Sequence, residues 1–129
     1  MHLLAASALV EDVHGWWSWV VIVSNALAGA WALGAHREAR LRIPALWWFT
    51  AAAEVTIFIQ VILGVILIQG REDAQDDFGF HLLYGFSAAF AVGIIYSYRN
   101  QLGDKKYLLY GAGGLFVAGL CLRAVTTLP

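Results

Sequence analysis

Gly70 to Tyr84 reads G-R-E-D-A-Q-D-D-F-G-F-H-L-L-Y. It is the one strongly polar stretch lying between two long apolar runs, and it delivers His81 to the start of the third run. Four acids (Glu72, Asp73, Asp76, Asp77) face a single Arg71, so this connection is acidic. The other two connections between apolar runs are basic. Arg37, Arg40 and Arg42 stand in the first, and Arg99, Lys105 and Lys106 in the third. That alternation of sign is the ordering principle of the chain.

Working outward, four apolar runs emerge, at about residues 13–35, 46–69, 80–98 and 107–127. A bilayer core of about 30 Å needs about 20 helical residues, and each run supplies roughly that. Across the 129 residues 60% are hydrophobic and only 13% charged, with a mean hydropathy of +0.68. A soluble domain carries about a quarter charged residues, so the composition predicts one integral membrane domain covering 1–129. Trp16, Trp17 and Trp19 open the first run, and Trp47 and Trp48 the second, where aromatic rings settle among headgroups. Pro44 stops the first helix from continuing straight into the second. Met1 to Val10 has no basic n-region, and Glu11 and Asp12 interrupt it. It reads as a retained interfacial lead-in and not as a cleaved signal.

Basic loops stay in the cytoplasm, so the first and third connections belong inside and both termini outside. Short connections make successive helices antiparallel neighbours, and the expected fold is an all-α, up-down four-helix transmembrane bundle. On the first run His14, Ser18, Val21, Asn25, Ala28 and Ala32 recur at +4 and +3 steps, and on the third His81, Gly85, Ala88, Val92 and Ile95 do the same. Gly111, Gly114 and Ala118 form a matching face on the fourth. Small residues let membrane helices approach closely, so these stripes should face inward.

Three features can carry chemistry. The first is the histidine pair. His14 and His81 both open outside-to-inside helices and so share a depth. With interaxial spacings of about 8–10 Å, helices one and three lie diagonally, about 11–14 Å apart. That gap suits two imidazoles with a metal or a flat cofactor between them. Gly85 would let a macrocycle approach the backbone, and Arg123 would meet its carboxylates. The plainer reading has both histidines as interfacial residues bonded to loop carboxylates. The second feature is Glu54, about 10 Å inside the second run at 1.5 Å per residue. An acid at that depth should face the bundle, as a proton, ion or quinone contact or as a neutral group bonded to Asn25 or a carbonyl. Gln60 lies on another side of that helix and need not share its site. The third is the acidic connection. It lacks the glycine and terminal Glu of a calcium loop, and reads as a solvated face or a docking surface for a basic partner.

The layout resembles one half of a membrane protein of the haem A synthase type or, more loosely, a four-helix b-type cytochrome. The resemblance rests on His14 and His81 near the outer ends of alternate helices, and on Gln60-Val-Ile-Leu-Gly64 ahead of His81. It implies haem b with His14 and His81 as axial ligands. The chain departs from that family in lacking a glutamate set before the first histidine in its manner.

Cys121 is the only cysteine, which excludes an internal disulfide and a cysteine metal cluster. A net charge of −1 gives no reason to expect a nucleic-acid partner. No catalytic triad, phosphate-binding loop or zinc-protease motif is present. Six Arg against two Lys, with much Ala and Gly, fits a GC-rich bacterium and hence a bacterial inner membrane. Two functions follow. One is an accessory or structural subunit of a larger, respiratory membrane assembly, bound to partner subunits and without enzymatic activity of its own. The other is a b-type haem-binding redox protein with His14 and His81 as axial ligands, passing electrons to or from a quinone. A small proton-coupled transporter centred on Glu54 is a third, but no broken helix marks a substrate site.

Overall fold

The computed structural model describes residues 2–69 and 74–127, with the side chains of residues 2–7 and 74–78 outside that description. The described residues form four α-helices: α1 (His2–Arg37), α2 (Pro44–Ile68), α3 (Ala74–Ser97) and α4 (Lys106–Thr126). Short 3-10 turns at Ala39–Leu41 and Gly103–Lys105 fill the α1–α2 and α3–α4 connections. Among the described residues there is no strand. Segments Ala8–Arg37, Pro44–Ile68, Gly79–Ser97 and Gly103–Thr126 are long and apolar enough to cross a membrane.

The helix ends follow from local chemistry. Pro44 occupies the first turn of α2, where its missing N–H costs nothing, and extended Ile43 precedes it. Arg42 closes α1 by donating from Nε to Ala35 O (2.8 Å) and from Nη2 to His36 O (3.1 Å), carbonyls that the helix itself leaves unpaired. Gly103, at φ 56°, makes the left-handed step that the α3–α4 turn requires.

Two boundaries differ from the sequence reading. The lead-in is not a separate element, because α1 runs without a break from His2 through Glu11 and Asp12. The acidic connection is also shorter than its polarity suggests. α3 begins at Ala74, so Asp76 and Asp77 belong to a helix. The remaining acidic residues, Glu72 and Asp73, lie with Arg71 outside the described residues.

α1 is the central element, packing extensively on α4 and on α2, while α3 packs on α4 and touches α2 only sparsely. The small-residue stripes face inward: Val21, Asn25, Ala28 and Ala32 of α1, Ala88 and Val92 of α3, and Gly111 and Ala118 of α4 are buried. The tightest approach is α1 to α4. A β-carbon added at Gly29 would stand 2.8 Å from Leu115 N and 2.9 Å from Gly111 O. Two apolar clusters divide the core. Val21, Ile57, Ala88, Val92 and Val117 form one, and Ala32, Ala35, Leu46, Tyr107 and Tyr110 the other, toward the Arg42 end.

Candidate functional site: a two-histidine cavity

Beyond the first cluster the helices diverge around a cavity of about 830 Å³. The start of α1, the end of α2, the start of α3 and the end of α4 all contribute to its wall. Each helix reaches it through its inward stripe. On α2 the stripe Leu46, Thr50, Ala53, Ile57, Gln60, Gly64 repeats at +4 and +3 steps and ends in the cavity. His14, Gln60, His81 and Gly85 therefore share one wall. A β-carbon on Gly85 would meet nothing within 4 Å, so the backbone there borders open space.

The two imidazoles stand with ring centroids 6.0 Å apart and planes at 78°. Two imidazoles that ligate one metal ion from opposite sides, each at about 2 Å, place their centroids about 6 Å apart. His81 Nδ1 lies 2.7 Å from Ala124 O. A carbonyl only accepts, so Nδ1 carries a hydrogen, and in the neutral ring Nε2 then presents a lone pair. Metal-ligating histidines adopt this arrangement, with the second nitrogen tied to a backbone carbonyl. His14 is held differently. Gln60 Nε2 donates to its backbone carbonyl at 2.8 Å, and Gly64 leaves room for its ring, with a β-carbon there only 3.3 Å from Cε1. His14 Nδ1 and Gln60 Oε1 are buried and lack a hydrogen-bond partner among the described residues. Buried polar atoms are seldom left unpaired, and these two belong to neighbouring side chains, so they can meet each other, a water or a ligand in the cavity. The residues present fit a flat, metal-bearing group.

The remaining candidates are placed elsewhere. Arg123 does not line the cavity; its guanidinium stands 5.9 Å from the centroid of the Tyr84 ring, and the charged residues on the cavity wall are Glu11 and Asp12. Glu54 and Asn25 border a separate void of about 20 Å³ across the first apolar cluster. Asn25 does not bond Glu54. Its amide donates instead to Val21 O (2.8 Å) and Ala53 O (3.1 Å), tying α1 to α2. No group of three or more His, Cys, Asp or Glu side chains is arranged to hold a metal ion among the described residues. The sequence reading missed Ala124, whose role is purely a backbone carbonyl, and Thr50, an ordinary helix residue by pattern.

No protein-family model matches the chain, and no curated protein or solved structure is significantly similar to it.

Proposed function

We propose that the protein is a membrane-embedded b-type haem protein whose axial ligands are His14 and His81. The observation that carries this reading is the 6.0 Å separation of the two imidazoles at the edge of an 830 Å³ cavity, with His81 Nδ1 anchored on Ala124 O. Haem held there supplies one-electron transfer. Ala124 O fixes the tautomer and rotation of His81, and Gln60 fixes the backbone of His14. Val21, Ile57, Val61 and Val125 give the cavity an apolar wall beside the rings. The setting is an up-down, antiparallel bundle in a bacterial inner membrane, its basic connections cytoplasmic and its histidine end outward. Protein purified with its native cofactors should show a reduced-minus-oxidised b-type spectrum, and H14A and H81A should each lose the low-spin form. A folded but colourless protein, expressed with ample haem, would overturn the proposal.

A second reading, an accessory subunit of a larger respiratory assembly, is favoured by the seam between α2 and α3. These helices barely touch, which leaves room between them for a partner's helix. A colourless chain that migrates only within a larger complex would select this reading.

A further inference from the structure

The small void across the first apolar cluster has contributions from all four helices. Ala28, Val92, Ile95 and Val117 give it apolar walls, and its polar groups come from Asn25 on α1, Thr50 and Glu54 on α2, and Tyr110 on α4. Its volume of about 20 Å³ matches one water molecule, which needs about 10–15 Å³ by this measure together with two to four polar partners.

Thr50 shows that the void is short of a partner. A helical Ser or Thr usually bonds a carbonyl one turn back, as Ser24 does to Val21 O and Ser97 to Ile94 O. Thr50 is only 7% exposed, yet its Oγ1 has no hydrogen-bond partner among the described residues. Asn25 commits its amide hydrogens to Val21 O and Ala53 O, which leaves Oδ1 as its one remaining polar atom. Glu54 stands one turn beyond Thr50 on the same wall. No Lys or Arg lines the void, so an ionised Glu54 would have no counter-charge there. The neutral acid is the form such a site holds.

We propose that one water molecule is bound among Thr50, Asn25, Tyr110 and a protonated Glu54, making a hydrated proton-binding site inside the helical core. The water accepts from the Thr50 hydroxyl and donates to Asn25 Oδ1 and to the Glu54 carboxyl, which satisfies the orphan and gives the acid an exchange partner. This site is separated from the histidine cavity by Val21, Ile57, Val92 and Val117, and the inference does not depend on haem binding.

Infrared spectroscopy of the full chain in lipid, exchanged between H₂¹⁶O, H₂¹⁸O and D₂O, tests it. The wild type at neutral pH should show a carboxylic-acid C=O band that E54Q removes. It should also show a bound-water stretching band that shifts with H₂¹⁸O. T50S should keep the water band, whereas T50V, checked as folded by circular dichroism, should lose it and shift the C=O band. Absence of the acid band in the wild type, or a water band that survives in T50V, would overturn the proposal. So would loss of the acid band on adding sodium chloride, since the site would then take a cation.

Discussion

Gly64 illustrates how one missing side chain shapes the cavity. His14 lies against it, and a β-carbon there would come within 3.3 Å of the imidazole. The ring borders open volume and can yield by a few tenths of an ångström, so the chain tolerates G64A while the imidazole moves. G64A is expected to change unfolding stability by less than about 1 kcal/mol, since no cavity is opened and no polar group is stranded. The low-spin spectrum of the haem-loaded protein should nonetheless weaken, and G64V should weaken it further. A thermal melt paired with an absorption spectrum separates the two effects. An unchanged spectrum in G64V would mean that Gly64 does not set the position of the ring.

Gly29 has a different kind of neighbour. Its β-carbon would meet Leu115 N and Gly111 O, both backbone atoms of α4, and backbone does not step aside. G29V should therefore force α1 and α4 apart, at about 1–3 kcal/mol or more, the usual scale of overpacking. Gly119 lies on the same partner helix with nothing within 4 Å of its β-carbon, and G119A should be neutral or slightly stabilising through helix propensity. Denaturation in detergent distinguishes the pair, and equal tolerance would place the close contact elsewhere. Because α1 meets both α2 and α4, G29V should also disturb the histidine cavity, which each of these helices helps to wall.

Charge orders the assembled chain along its axis. Arg42 donates to carbonyls at the end of α1, and its Nη1 stands 3.9 Å from Asp104 Oδ2 in the α3–α4 turn. Both basic connections thus gather at one end, with Lys106 Nζ 5.4 Å from the ring centroids of Trp47 and Tyr107. The histidine cavity occupies the opposite end. In the proposed orientation, a reporter active only in the cytoplasm should work when inserted after Arg40 or Gly103 and fail at either terminus. The reverse pattern would turn the cavity toward the cytoplasm.

The helical content, the four apolar segments and the inward stripes were all readable along the chain. They depend on local quantities: apolar length, charge sign between segments, and residue size at +4 and +3 steps. His14 and His81 were visible as a pair for the same reason, since each opens its own stripe. Their 6.0 Å approach was not, because helix rotation and crossing depend on where backbones can touch, as they do at Gly29 and Gly114 between α1 and α4. Nor could the pattern reveal that Ala124 O would receive His81, since any residue carries a carbonyl. Arg123 has the right depth for the cavity but turns to Tyr84. Glu54 stands out in the sequence as a lone acid in an apolar helix, but Thr50 does not, because that helix has almost no polar face to contrast with. They share a void only because α1 brings Asn25, and α4 brings Tyr110, to the same level of the core. Periodicity assigns a side chain to a face of its own helix; which atoms that face meets is decided by packing among all four.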